Sequence, residues 1–411
     1  MAELSFEEAR ATILNHVAPL EPEQVELLDS LGLILAEDIV APFNLPLFDN
    51  TAMDGYAVRA ADCSKKNTVL PIQDYIPAGG VASIQLAPGT ATKIMTGAPV
   101  PKGADAIVPF EDAEEADQKI TVREDVTLGQ HIRCAGEDVK KGEIVISAGK
   151  LIRVPDINML ANFGRRFVQV YRRPVVAILA TGDELVEPGE PLSEGKIYNS
   201  NSIMLAAAVR ALGAIPKVLG IARDNRESLR QKIEEGLKAD ALITAAGVSV
   251  GDRDYVRDIL NENGVKQIFW KINIKPGKSS AFGIYGVKPV FALPGNPVSA
   301  MITFEELARP AFLKMMGHQH PIQPMLTATL QEDLKKNPGK LFFARVRLQI
   351  SEGKLLAWSA GKQDTGFQRT ICLADGIALL PAERGKFKAG EEVQVRLLSS
   401  ALNIKELTTE K

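Results

Sequence analysis

Residues 174–182 read PVVAILATG. An apolar run with no alternation, closing on Thr181 and Gly182, is the pattern of a strand covered on both faces rather than one half-open to water. Working outward, Leu205, Val209 and Leu212 recur at helical spacing and Gly213 follows them as a stop. The strand KVLGIA (217–222), a helix carrying Leu229, Ile233 and Leu237, and the strand DALITAAG (240–247) complete two βαβ units. That alternation predicts a mostly parallel sheet with helices on both faces, extending over residues 172–317.

Around this centre the texture changes. Ser5 and Glu8 form a capping-box pattern ahead of an apolar series, and Pro22 opens a second run with Val25, Leu28 and Leu31 that Gly32 would end, so the first forty residues read as helical. Residues 46–147 break into short β-prone pieces, TATKIM, DAIVPF, KITV and EIVIS, separated by Gly, Pro and Asp. Within them the acidic segment Glu111 to Asp117 reads as a solvated loop between strands. After Pro155 a short helix stops at Gly164 and returns the chain to the helical part, giving a split region of residues 1–45 and 148–171 around a β insert. From residue 318 to 411, FFARVRLQI (342–350) alternates Phe342, Ala344, Val346, Leu348 and Ile350 against Arg345, Arg347 and Gln349, and VQVRLL follows near the C-terminus, together a small β sandwich or barrel.

Composition narrows the function classes. A chain of 411 residues holds about two to four domains. With 48 Lys and Arg against 51 Asp and Glu, a net charge of −3, the chain has no global attraction to nucleic acid or anionic membranes. No apolar run approaches the roughly 18–20 residues that span a bilayer, and MAELSFEEAR is acidic where a leader is basic, so a cytoplasmic protein is expected. Cys63, Cys134 and Cys372 are too scattered for a metal or redox spacing and read as reduced thiols. His318 and His320 fall in the proline-flanked HQHPIQP, an exposed linker rather than a metal clip.

In an open parallel sheet, ligands bind beyond the carboxyl ends of the strands, where glycine-rich loops lead into helix N-termini that favour anions. Four segments have that position: Thr181 to Glu184; Gly247 to Asp252; INIKPGKSSAFG (272–283) with Lys275 and Lys278; and VFALPGNPVSA (290–300), which turns through Pro294, Gly295, Asn296 and Pro297. Gly277-Lys278-Ser279 is no Walker A loop, because Ile272 stands where the first glycine is required, and no GxGxxG occurs. Glu184, Asp224, Asp252 and Asp254 are the loop-tip carboxylates that would bridge a divalent ion to phosphate. Each has a plainer alternative. Asp224 with Glu227 is also a capping box, Asp254 a helix cap, Glu184 a surface charge, and Asp183 a brace for its own turn.

The ordered set FDNTAMDGYAV (48–58), IMTGAPVP (94–101), RCAGEDV (133–139), ATGDEL (180–185), IYNSNS (197–202), AGVSVGDRDY (246–255), KINIKPGKSSAFG (271–283) and LPGNPVSA (293–300) resembles the molybdopterin molybdenumtransferase family, which includes bacterial MoeA and the gephyrin E domain. The resemblance implies a multidomain α/β fold and an elongated subunit: a three-layer molybdopterin-binding domain, a split helical region, an inserted β module and a C-terminal β-barrel-like domain. It also implies a homodimer whose active cleft is completed by the β insert of the other subunit. The implied reaction inserts molybdate into adenylylated molybdopterin, with Mg2+, and releases AMP.

By motif position, Asp54, Thr96, Asp138, Glu184, Asp224, Asp254, Lys271, Lys275 and Lys278 are implied as catalytic. Glu184 and Asp254 are the implied Mg2+ ligands. Gly182, Ser200, Gly247, Ser249, Gly251, Pro294, Gly295, Asn296, Pro297, Ser299, Arg345 and Thr365 are implied to bind phosphate, pterin or oxyanion. For Arg345 and Arg347 a solvent-facing strand edge is the alternative, and for Asp138 an architectural turn. The chain departs from the family pattern at Ala246, where a glycine is usual, at Asn225, where a second Asp is usual, and at GKQDTGFQRT (361–370), which replaces a Gly-Ser-Gly run and leaves Thr365 as a hydroxyl donor. Adenylylation of molybdopterin by this chain itself, preference for tungstate, and a non-catalytic dimeric scaffold are the competing readings; a separate adenylyltransferase is a partner under the leading one.

Overall fold

A computed structural model describes residues 3–246, 255–398 and 405–406. The chain forms two compact units, one from Met1–Ala36, Gly149–Arg153 and Phe167–Lys411, the other from Glu37–Ala148 and Val154–Arg166.

The first unit begins with α1 (Phe6–Asn15), capped as the sequence predicts: Glu8 N donates to Ser5 Oγ, and Ser5 N to Glu8 Oε2. The helix expected after Pro22 is instead a strand. Pro22–Glu26 pairs antiparallel with Phe167–Tyr171, five residues against five, and only a short 3-10 turn at Leu28–Ser30 follows. Leu28 is 76% exposed and Leu31 46%, so the helical-looking spacing has no core to face, and cross-chain pairing outweighs a weak local preference.

The α/β domain is built from β1 (Val175–Thr181), α2 (Ser200–Ala211), β2 (Ile215–Ala222), α3 (Arg226–Gly236), β3 (Ala241–Ala245), α4 (Tyr255–Glu262), β4 (Lys266–Phe269), β5 (Ala281–Tyr285), β6 (Lys288–Leu293) and α5 (Pro297–Thr303). The sheet order is β2-β1-β3-β6-β5-β4; β2, β1, β3 and β6 are parallel, and β5 runs against both of its neighbours. Alternation within β1 explains its unbroken apolar run. Val176 and Ile178 face a core shared with α2 and α5, while Ala177 and Leu179 face the core under α3 and α4. The first core also takes Phe6 of α1, whose ring meets Phe343 edge-on at 5.1 Å. Beyond α5 the helix passes through a π turn, Phe304–Ala308, into Arg309–Met315.

The C-terminal strands β7 (Leu326–Leu330), β8 (Leu341–Ser351), β9 (Lys354–Ser359), β10 (Gly376–Leu380) and β11 (Glu392–Leu397) pair in the cycle β8-β9-β7-β11-β10-β8, a closed five-stranded barrel. Phe342, Ala344, Val346 and Leu348 fill its interior as the alternation predicts, but Ile350, on the same face of the pattern, is exposed near the strand end. Between barrel and α/β domain, His320 is exposed, whereas His318 is half-buried and burial holds its pKa down.

The second unit holds a six-stranded sheet in the order Ala106–Pro109, Gly55–Val58, Ala91–Ile94, Thr68–Ile76, Lys119–Val122 and Ala113–Ala116, with one parallel pair, Thr68–Ile76 with Ala91–Ile94. The acidic segment is not a loop: Ala113–Ala116 is an edge strand paired with Lys119–Val122. Cations neutralise it, Arg123 on Glu114 at 2.7 Å and Lys93 on Glu115 at 2.7 Å, and charged side chains on an edge strand discourage pairing with other chains. The helix predicted after Pro155 is present as Val154–Asn162, with Gly164 at φ 70° behind it.

Candidate functional site

The strands β1 and β3 end at a cleft of about 410 Å3. Its walls include Glu184 from the loop after β1, Ser200 and Asn201 from the start of α2, Ala246 after β3, and Gly295 and Pro297 at the turn from β6 into α5. This is the position the parallel topology dictates for a ligand, and of the predicted residues it gathers Glu184, Ser200, Gly295 and Pro297.

Local chemistry explains each wall. Gly182 has φ 147°, a backbone conformation that favours glycine, and its Cα lies against the Glu184 carboxylate. Glu184 is exposed on the cleft wall. Beside it Asp183 and Asp224 brace two loops reciprocally, each backbone amide donating to the other's carboxylate at 3.3 and 3.2 Å. The cap of α3 is Asn225, which accepts from Ser228 N, so Asp224 is released from the capping role that the sequence pattern suggests. Asn296 caps α5, accepting from Val298 N and Ser299 N, and its Nδ2 donates to the Thr365 carbonyl at 3.1 Å. Thr365 therefore meets this turn through its backbone. Pro294 and Ser299 are buried beside it.

Sequence reasoning passed over Asn199, Asn201 and Gln368. Asn199 caps α2 and is 1% exposed; Asn201 Nδ2 donates to the Gly295 carbonyl at 2.7 Å, while its Oδ1 is buried without a partner. Gln368 reaches the cleft from the segment between β9 and β10. The two asparagines lie within IYNSNS, where amide side chains beside a helix start were the available signal; nothing marks Gln368. At Ala246 the backbone takes φ 81°, the left-handed region a glycine adopts freely, and its N–H donates to Leu293 O at 3.0 Å. That amide is thus engaged by protein. Gly247, Ser249, Gly251 and Asp254 lie outside the described residues.

The predicted lysines form a cationic patch. Lys278 Nζ pairs with Glu3 at 2.5 Å, and Lys271, Lys278 and Lys340 all lie in the field that holds the Glu3 carboxyl below its usual range. Lys275 is exposed and Lys271 half-buried. Burial first, then Lys278, lowers the Lys340 ammonium. The loop seats on α5 through Gly277, where a Cβ would collide with the Thr303 methyl. Arg345 overturns its placement on an open strand face. It is 1% exposed, covered by the segment after β9, whereas Arg347 is exposed.

In the second unit Asp54 and Thr96 form one hydrogen-bonded pair: Asp54 Oδ1 accepts from Thr96 N at 2.7 Å and from Thr96 Oγ1 at 2.6 Å. The hydroxyl first and the amide second hold the carboxyl below its ordinary value. Gly55 is required next to it because a Cβ would press into the Val108 carbonyl. Asp138 is exposed, and its amide donates to Leu45 O at 3.0 Å, so its turn carries architecture.

Three families match in chain order: MoeA N-terminal region (domain I and II) over residues 4–164, a probable molybdopterin binding domain over 177–314, and MoeA C-terminal region (domain IV) over 327–398. Molybdopterin molybdenumtransferase 2 of Mycobacterium tuberculosis is 37% identical over 403 residues, 95% of this chain and 98% of that protein. Molybdopterin molybdenumtransferase of Haemophilus influenzae is 37% identical over 397 residues, with the same coverage of both chains. Among solved structures, a molybdopterin biosynthesis MoeA protein from Pyrococcus horikosii superposes with a TM-score of 0.85 at 31% identity, covering 96% of this chain and 99% of its own. With the sheet, the barrel and the strand-end cleft all accounted for along nearly the whole chain, it belongs to the molybdopterin molybdenumtransferase family and is an enzyme of molybdenum cofactor biosynthesis.

Proposed function

We propose that this enzyme inserts molybdate into adenylylated molybdopterin and releases AMP in a Mg2+-dependent reaction, acting in the cytoplasm as a homodimer. The observation that carries the reading is the cleft where β1 and β3 end, with Glu184 on one wall and the start of α5 on another. A pyrophosphate suits the Gly295 and Asn296 amides at the turn into α5, and the pterin suits the amide side chains of Asn199 and Asn201. Glu184 is a hard oxygen donor exposed on the cleft wall, which fits Mg2+, an ion that takes one or two carboxylates together with substrate phosphates. Glu184 and Asp254 would hold it there, where it supplies positive charge against the diphosphate.

Lys271, Lys275, Lys278, Ser299 and Arg345 draw in and orient the oxyanion, since cationic donors replace the water that molybdate sheds. Asp224 braces the Glu184 loop. Asp54 and Thr96 serve the cleft of the other subunit, and Asp138 holds the turn that contains it. A separate adenylyltransferase supplies the nucleotide-tagged substrate.

Incubating the purified protein with adenylylated molybdopterin, Mg2+ and molybdate tests this: AMP appears in step with molybdate consumed. No AMP release, or release without metal transfer, overturns it. Turnover with tungstate and not molybdate would replace the metal and keep the chemistry.

A further inference from the structure

Strand β9 ends at Ser359, opposite Val346 of β8, so the next residue of β8, Arg345, lacks half of its neighbour on that side. Ala360 N still donates to Arg345 O at 2.9 Å. The reciprocal bond is supplied by a side chain. Gln363 Oε1 accepts from Arg345 N at 2.9 Å, and Gln363 Nε2 donates to Arg345 O at 2.9 Å, to Ser359 Oγ at 2.9 Å and to Gly361 O at 3.0 Å. A carboxamide thus extends the ladder one step past the end of the strand, as a peptide group would.

The same turn grips the far end of the arginine. Arg345 Nη2 donates to the carbonyls of Lys362 and Asp364, the residues on either side of Gln363, at 3.1 and 3.2 Å. Nε and Nη1 stay buried without a protein partner on a residue that is 1% exposed. Unpaired guanidinium donors buried in this way are costly, and because Nε–H and the Nη1 hydrogens point to opposite sides of the group, each needs its own acceptor. From this turn the chain continues to Thr365, whose carbonyl takes the Asn296 amide, and to Gln368 in the cleft wall.

We propose that Gln363 is a positioning residue: its carboxamide holds the backbone of Arg345 while the carbonyls on either side of it hold the guanidinium, and the clamp draws the 361–368 segment onto the cleft. The part concerning molybdate rests on the function proposed above. Gln363→Ala deletes all four bonds of the clamp. Gln363→Glu keeps the acceptor for Arg345 N but cannot donate, and it adds negative charge beside the arginine.

In the transferase assay, Gln363→Ala raises the KM for molybdate about tenfold while kcat changes less than about threefold, and Gln363→Glu raises KM further. In the ligand-free full-length protein, amide exchange of Arg345 and of residues 361–368 accelerates in Gln363→Ala, while β7 keeps its protection. Unchanged molybdate KM in an active variant overturns the inference, as does exchange that accelerates evenly across the barrel or not at all. If the unaltered enzyme releases no AMP, the functional reading fails separately, and the exchange experiment still decides whether Gln363 is the clamp.

Discussion

Ala246 sits at the mouth of the cleft with φ 81°, a conformation that costs an alanine about 1–2 kcal/mol. Its neighbour across the turn, Gly295, accommodates it, since a Cβ on Gly295 would come within 3.0 Å of the Ala246 Cβ. Ala246→Gly relieves the backbone but loosens the unfolded chain, a partly cancelling effect of about 0.4–1 kcal/mol, so the urea midpoint should stay level or rise slightly. Gly295→Ala should lower it and impair turnover. Thr96 gives a prediction in pH. Because its hydroxyl and amide depress the Asp54 carboxyl, that contribution to stability is complete above the unfolded value and is lost as pH falls through the lower folded one. Thr96→Ala returns the carboxyl toward the ordinary range, so the acid limb of a kcat/KM profile moves to higher pH. A limb that stays in place would remove Asp54 from the rate-determining ionisation. The sequence displays these residues by type, but which amide is occupied and which carboxylate is braced depend on turns that distant loops fold together.

Among elements, legibility followed the range of the forces. α1 was visible because cap and apolar face lie within one stretch, α2 and α3 because their apolar faces recur at helical spacing although their caps are Asn199 and Asn225, and β1 because a run covered on both sides has no other use. The strand at Pro22–Glu26 was invisible because its partner is near residue 169, and Arg345 looked open because nothing in FFARVRLQI reveals that the segment after β9 folds over it. The approach to β1 offers a measurable joint. Arg172 makes two bonds to Asp240, at 2.7 and 2.6 Å, and the same carboxylate accepts from Val175 N at 2.8 Å, fastening the start of β1 to the start of β3. Burial raises the Asp240 carboxyl, yet Arg172 and the Val175 amide outweigh it and the net shift is downward. Asp240→Asn should cost about 1.5–3 kcal/mol at neutral pH by denaturant unfolding, with the deficit shrinking as pH falls through the depressed folded value. An equal deficit at every pH would show that shape, not charge, is what Asp240 contributes.

For the molecule as a whole, the alternation of strand and helix in the α/β region shows in the sequence, while the joint between barrel and α/β domain does not. There Glu306 of the π turn forms an ion pair with Arg396 of β11, side chains 0% and 7% exposed, and burial followed by Arg10 lowers the arginine to about 10. Glu306→Ala leaves the buried Arg396 with only the field of Glu305 and should cost up to about 3–5 kcal/mol, whereas replacing both Glu306 and Arg396 by apolar residues should restore much of the loss, as double-mutant melting curves would show. An additive pair would mean that the two charges do not sense each other.

The seating of Phe6 against Phe343 has a further consequence, for how the chain is made. The first helix to leave the ribosome finds its ring partner only after more than three hundred further residues have been synthesised, whereas the inserted unit has all its strands by Ile146. Birth order and burial order are therefore reversed: nascent chains halted before α5 should carry a folded insert and a protease-sensitive amino terminus.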